Sequence, residues 1–466
     1  MKMVGVESIG VYLPAYRLDR GEIFKAVGWV SKSFLRGERA VANYDEDSLT
    51  MAVNAASECS YEGVDAVFFA SVTMPFKERQ NAEIIATALD LPSDIITSDF
   101  TGSTRAVTSA IIAATGYVEA GKAKKVLVCA SDCRIGKAGG FYEAAFGDAA
   151  AAIVVGSDKV ASIDSHYSVS YDFMDTWKID EDRFPRHWED RWIRDQGYRK
   201  FIAESISGLM SKEGIGTEEI AKVCYPCVYP RDHPKIALSL GFSQEKIQDP
   251  LFMEIGNTGN AHPLILLASA LESVSSGERI LVASYGSGSD SILFTAKQNV
   301  EFSEKLKKKK MMSYERYAIY RDLIPVEKGL RGEEVAPTPT SVLWRNRREI
   351  LALVGSRCRR CGTPQYPVQR ICVACQSQEM EPYRFADKKG RIFSFTEDYL
   401  AFSINPPAIY GIIDFEGGGR FWFDLTDCEP GELKVGMKVH MSFRRKDFDP
   451  RRRVYNYFWK AVPEVV

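Results

Sequence analysis

Two stretches of this 466-residue chain read alike, and that duplication constrains the fold more than any other feature. In the first, Ser109 to Gly116 is an apolar helix pattern, Gly121 is a stop, and Val126 to Ala130 is a Val/Leu strand. In the second, Pro263 to Ala270, Gly277 and Ile280 to Ser284 repeat that order. Each strand then leads through a glycine-bearing turn into another. Phe146-Gly147-Asp148 runs into Ala149–Val155, and Tyr285-Gly286-Ser287-Gly288 runs into Ser291–Thr295. Two similar βαβ halves predict a pseudo-symmetric, layered α/β fold with ligands near the line where the halves meet.

The remaining N-terminal segments fit this scheme. Val4 to Tyr12 reads as a strand closed by Leu13-Pro14, and Asp45 to Cys59 as a helix with an acidic first turn. Val64 to Val72 has the apolar character of a strand buried on both faces. Asn81 to Leu89 is a helix ended by Leu91-Pro92. Asp99 to Ala110 reads as a strand end, a tight turn at Gly102 and the start of a long apolar helix. Such an elbow sets side chains at a helix N-terminus, where backbone N–H groups favour developing negative charge. It suits a nucleophile or a thioester oxygen.

Composition shifts at Val300. Lys307 to Lys310 is a lysine run, Tyr314, Tyr317 and Tyr320 fall at helical spacing, and Pro337 and Pro339 lie in a Thr/Pro stretch. This reads as a charged connector, one helix and an extended linker over 326–345. A different module follows. Cys358-x-x-Cys361 and Cys372-x-x-Cys375 are two knuckles that bring four thiolates to one tetrahedral ion, so a structural zinc is expected in a ribbon over 346–385. Five short alternating segments come next: Arg391 to Glu397, Ala408 to Phe415, Arg420 to Leu425, Lys438 to Phe443 and Val454 to Lys460. They predict an OB-like β-barrel over 386–466.

Bulk properties set limits. A net charge of −2 makes no whole-chain case for nucleic acid or an anionic membrane. No apolar run reaches transmembrane length, and Met3 to Tyr16 reads as a strand rather than a signal peptide. A cytoplasmic protein with no membrane partner is expected. The basic, aromatic segment Phe443 to Trp459 would suit a nucleic-acid strand, but its side chains suit the phosphates of coenzyme A equally.

The elbow resembles the nucleophile elbow of the thiolase superfamily, in its hydroxymethylglutaryl-CoA synthase and ketoacyl synthase III branch. Phe146-Gly147-Asp148 is similar to a glycine-bearing strand of ketoacyl synthase III, and Ser284 to Asp290 to the glycine-rich loop of archaeal hydroxymethylglutaryl-CoA synthases. Gly256-Asn257-Thr258 resembles the element whose asparagine helps bind a thioester oxygen. The resemblance spans about 1–325, with halves of about 1–156 and 157–325. It implies a duplicated five-layered αβαβα thiolase fold. The cysteine module resembles the DUF35 family of zinc-ribbon plus OB domains, on Tyr410 to Gly418 and Glu432 to Val439. Such domains accompany thiolases and hold or pass CoA thioesters, and the fusion decides for CoA over nucleic acid.

The catalytic residues of the branch carry over badly. Its cysteine, histidine and glutamate match Thr104, Pro226 and Val72. Ser103, Thr104, Asn257 and His262 remain as catalytic candidates, and Gly147, Gly286, Ser287 and Gly288 as substrate-binding backbone. His233, Cys227 and Cys133 are candidates for relocated groups. The resemblance thus implies an acyl-CoA protein of Claisen or aldol C–C chemistry, a homodimer or a hetero-oligomer with a separate thiolase. The alternative is a non-catalytic CoA-binding partner subunit.

Overall fold

The computed structural model describes residues 4–31, 35–326, 338–401 and 403–464. It divides into two compact units. One comprises 1–42, 51–83 and 93–323, and the other 43–50, 84–92 and 324–466. Two short pieces of the N-terminal stretch therefore belong, by contact, to the second unit.

The first unit is built on one sheet. Its strands are β1 (Val4–Tyr12), β2 (Ala66–Ala70), β3 (Ile96–Phe100), β4 (Val126–Asp132), β5 (Ala149–Ser157), β6 (Ala161–Ser170), β7 (Ile220–Cys224), β8 (Arg279–Ala283) and β9 (Gly288–Ala296). Their order is β7-β8-β9-β6-β1-β5-β4-β2-β3. In the sheet, the lobes β1-β5-β4-β2-β3 and β6-β9-β8-β7 pair through Gly5↔Ser162 and Val6↔Ala161. The expected duplication is visible in the pairing. β2 runs parallel to β4, which is antiparallel to β5. Likewise β7 runs parallel to β8, which is antiparallel to β9.

Two helices, α1 (Ala106–Glu119) and α2 (His262–Ser273), pack against strands of both lobes and form the layer between them. β5 shows why this fits. Ala149, Ala151, Ile153 and Val155 alternate onto the helices, and the alanines allow close approach. β2 is buried on both faces, as its apolar run requires. The helix expected at 45–59 is shorter, Ser48–Ala56, and that expected from Ala110 begins earlier, at Ala106.

In the second unit, the ribbon strands Val354–Cys358, Pro364–Gln365 and Met380–Arg384 form a three-stranded sheet. Five strands follow: β10 (Gly390–Asp398), β11 (Ala408–Phe415), β12 (Arg420–Asp424), β13 (Lys438–Asp449) and β14 (Val454–Pro463). They order as β12-β11-β10-β13-β14, and a bridge between Leu425 and Ala461 joins the two ends into the expected barrel. The linker expected over 326–345 is not wholly extended, since Thr340–Arg345 is helical. Pro337 and most of that linker lie outside the described residues.

A buried charge cluster ties this unit together. Arg444 Nη1 lies 3.1 Å from Asp45 and 2.9 Å from Glu46, Nη2 lies 2.5 Å from Asp427, and Lys460 Nζ lies 2.9 Å from Asp45. Burial raises the Asp45 carboxyl, but Lys460 and Arg444 hold it at about 2. Removing one partner leaves the others charged and dry. Arg444→Met is expected to destabilise the fold by about 3–5 kcal/mol, read as a lower urea midpoint. The folded pKa of Asp45 lies below its ordinary 3.8, so its contribution is full above that value and is lost as the pH falls through about 2. Acid titration of the wild type, followed by circular dichroism, checks this sign.

Candidate functional site

The elbow forms as expected, with Gly102 at φ +87° and α1 starting two residues after Thr104. Its position is fixed by the β8–β9 loop. Arg105 donates to the Gly286 carbonyl at 2.9 Å and pairs with Asp290 at 2.6 Å, and Thr108 donates to the other Asp290 oxygen at 2.6 Å. Gly286 has no side chain where one would not fit. A Cβ there would lie 2.5 Å from Ser103 Oγ and 2.7 Å from Thr104 Oγ1.

This close approach decides the state of both elbow hydroxyls. Ser103 Oγ–H donates to the Gly286 carbonyl at 2.9 Å, and Thr104 Oγ1–H to the Tyr285 carbonyl at 2.7 Å. A backbone carbonyl accepts a hydrogen bond but does not take the proton, so neither oxygen is activated as a nucleophile.

Thr104 opens onto a cavity that Pro226, Cys227, Asn257 and Tyr285 also line. The positions matching the branch's cysteine and histidine thus do converge. Val72, at the glutamate position, does not line it, and its amide donates to Asp132 at 2.8 Å. Asn257 is held on several sides. Its Oδ1 accepts from Arg134 at 2.7 Å and from the Gly259 amide at 3.0 Å, while Nδ2 donates to the Cys227 carbonyl at 3.1 Å.

His262 stands apart from the cavity lining. It is fully buried at the start of α2, with Nδ1 3.2 Å from the Thr258 amide and Nε2 2.9 Å from the Pro250 carbonyl. Both nitrogens are engaged, and burial pushes the ring down to about 3, so it is a neutral brace. His233 is likewise buried, stacked on Tyr225, and pushed down to about 4. Burial raises the Cys227 thiol, which disfavours the thiolate that a nucleophile needs. Cys133 accepts from Arg321 at 2.8 Å and is not among the lining residues.

The four glycine-loop positions act on the backbone. A side chain at Gly147 would strike the Ile255 carbonyl at 1.8 Å, and one at Gly288 the Val169 carbonyl at 2.1 Å. Gly147, Gly286, Ser287 and Gly288 bring segments together, and none of them lines the cavity. From the segment Met174 to Arg194, with its three tryptophans, Asp175, Thr176 and Ile193 line the cavity. Trp188 and Trp192 are exposed.

Sequence reasoning missed five polar lining residues: Arg134, Tyr142, Asp175, Thr176 and Tyr285. Arg134 lies over the Phe146 ring, 4.0 Å from its centroid. Asp175 is 5% exposed and Tyr285 6% exposed, and among the described residues the Tyr285 hydroxyl completes no full hydrogen bond. Burial raises the Asp175 carboxyl above the ordinary carboxylate range. The one available signal was Tyr285, which directly precedes Gly286 in the quoted loop.

The cysteine knuckles are formed. All four sulfurs of Cys358, Cys361, Cys372 and Cys375 lie within 4.8 Å of one another, with two pairs at 3.4 and 3.6 Å. Zinc–sulfur bonds of about 2.3 Å put tetrahedral sulfurs about 3.8 Å apart, so the set fits that ion. Metal analysis of purified protein is expected to find one zinc per chain, and Cys361→Ser to lose it together with the thermal stability of the ribbon.

Comparison with known proteins agrees with both units. Residues 346–381 match the family model "ChsH2, rubredoxin-like zinc ribbon domain", and 383–444 match "ChsH2, C-terminal OB-fold domain". The hydroxymethylglutaryl-CoA synthase of Archaeoglobus fulgidus is 30% identical over 338 residues, covering 68% of this chain and 97% of that protein. That of Aeropyrum pernix is 32% identical over 299 residues, covering 62% and 82%. The crystal structure of an HMG-CoA synthase complexed with CoA superposes with a TM-score of 0.61 at 21% identity, covering 72% of this chain and 94% of that one. With its duplicated sheet, its elbow facing a glycine loop and this coverage of its relatives, the chain belongs to the hydroxymethylglutaryl-CoA synthase family of the thiolase fold, joined to a ChsH2-type zinc ribbon and OB domain.

Proposed function

We propose that this protein binds acyl-CoA thioesters and makes or breaks a C–C bond beside the thioester carbonyl without forming an acyl-enzyme. The observation that carries the reading is the state of the elbow. Ser103 and Thr104 both give their protons to backbone carbonyls, yet the cavity beside them keeps Asn257 and adds Arg134, Asp175 and Tyr285. A polar, water-restricted cavity next to a helix N-terminus is suited to an enolate, which needs charge stabilisation rather than a covalent nucleophile. In this reading Thr104 and Asn257 position the thioester. Gly286 and its loop neighbours set the distance, His262 braces α2, and the four cysteines hold a structural zinc. The zinc-ribbon and OB unit is a CoA-handling domain. The protein acts in the cytoplasm as a homodimer or with a separate thiolase.

The simultaneous loss of the branch's cysteine, histidine and glutamate, at Thr104, Pro226 and Val72, favours a second reading. There the chain is a non-catalytic partner that holds CoA thioesters for an active thiolase. Intact-mass spectrometry after incubation with acetyl-CoA and acetoacetyl-CoA is expected to show no covalent adduct, while calorimetry shows binding. An acyl adduct on Ser103 or Thr104 would overturn the non-covalent mechanism. Turnover of a β-hydroxyacyl-CoA by this chain alone supports the enzyme, and turnover only with an added thiolase supports the partner.

A further inference from the structure

The cavity holds a carboxyl group that the family resemblance does not assign. Asp175 lies just after β6 and is buried. Its Oδ1 accepts from the Thr176 amide at 2.6 Å, and its own backbone is pinned by Trp188 N–H donating to its carbonyl at 3.2 Å. The second polar group is the Tyr285 phenol, which faces the carboxyl and interacts with it, at a geometry that leaves its hydroxyl short of a full hydrogen bond among the described residues. Gly197 makes room for it, since a Cβ there would lie 2.7 Å from the hydroxyl. A buried phenol whose hydroxyl completes no well-formed hydrogen bond, beside a buried carboxyl, is a costly arrangement for a packed core. It is the arrangement expected where a ligand oxygen completes the set.

Resting on the reading of the cavity as an acyl-thioester site, we propose that Asp175 is its acid/base residue and Tyr285 its oxyanion donor. In the bond-forming direction the Asp175 carboxylate removes a proton from the carbon next to the thioester carbonyl. The C–H electron pair moves into the enolate, whose oxygen accepts from the Tyr285 hydroxyl. The enolate carbon then bonds to the carbonyl carbon of a second substrate, an aldehyde or ketone. That carbonyl's π electrons go to its oxygen, which takes the proton back from Asp175. The product is a β-hydroxyacyl thioester, the carboxylate is regenerated, and cleavage is the same path reversed. No oxidant and no covalent intermediate are needed. Phe141, Phe146, Ile193 and Val228 give the cavity apolar walls that suit the hydrocarbon part of an acyl group.

The groups that face Asp175 all bear on its titration. Tyr285, Tyr142 and Tyr229 are phenols raised by burial and by Asp175, so they stay protonated across the working range. The Asp190 carboxylate acts on Tyr142 and Tyr229 as well, and the Arg134 guanidinium lines the same cavity. The His187 imidazole packs edge-on to Tyr142, with ring centroids 5.1 Å apart, and lies 3.7 Å from Asp190, so loss of the acid limb in Asp175→Asn is what assigns the limb to Asp175.

The test follows exchange of the α-protons of acetyl-, propionyl- and phenylacetyl-CoA in D2O by mass spectrometry, on the full chain. Wild type should catalyse exchange of at least one, with an acid limb lying above the ordinary carboxylate pKa of about 3.9. Asp175→Asn should lose at least about 100-fold in exchange rate while its calorimetric Kd for the same thioester stays within about threefold. Tyr285→Phe should slow exchange at least tenfold and leave the limb in place. If Asp175→Asn does not fold, Asp175→Glu replaces it and should retain the limb at a reduced rate. Wild-type exchange that survives Asp175→Asn within about threefold, or that lacks the acid limb, overturns the assignment and leaves the thioester site standing. A wild type that neither binds nor exchanges any of the three overturns both.

Discussion

The site depends on one close contact, that between the elbow and the bare α-carbon of Gly286. Because no side chain intervenes, the loop carbonyls of Tyr285 and Gly286 come within 2.7–2.9 Å of the Thr104 and Ser103 hydroxyls. Arg105 and Thr108, both on Asp290, hold that distance from the helix side. The same contact that builds the thiolase-type pocket therefore also quenches the only oxygens at the nucleophile position. Both hydroxyls are satisfied by those carbonyls.

The charged and polar groups of the cavity come from several segments. Arg134 follows the end of β4, Asp175 follows the end of β6, and Tyr285 follows the end of β8. Strand ends at a shared edge are where a layered α/β sheet gathers side chains from distant segments, while the strands beneath stay apolar. The second unit handles charge differently. Arg444 and Lys460 pair with Asp45, Glu46 and Asp427 in its interior, and these pairs serve folding of that unit.

Much of the fold could be read from order and period. The repeat that pairs Ser109–Ala130 with Pro263–Ser284 reappears as α1-β4 and α2-β8, because an apolar helix, a glycine stop and a β-branched run are local signals. The segment between β5 and β7 was opaque for the converse reason. β6 alternates buried and exposed residues weakly, and the helix Arg199–Glu213 has a mixed surface, so neither stands out from its neighbours. His262 is the instructive site residue. Its place in Ala261-His262-Pro263 suits either acid/base chemistry or a helix-start brace, and only the Thr258 amide and the Pro250 carbonyl on its two nitrogens distinguish them.

The sequence by itself determined the duplicated α/β scaffold, the four-sulfur knuckle pair and the absence of the usual cysteine, histidine and glutamate. Each is a matter of residue type at a fixed local spacing. Only the tertiary structure decided what that absence leaves behind. Thr104 meets its acceptor across 181 residues of chain, and Asp175 meets Tyr285 across the whole of β7 and α2. Whether a hydroxyl is free or held, and whether a carboxyl is exposed or buried, is fixed by which distant segments the fold brings together. No linear pattern encodes that convergence.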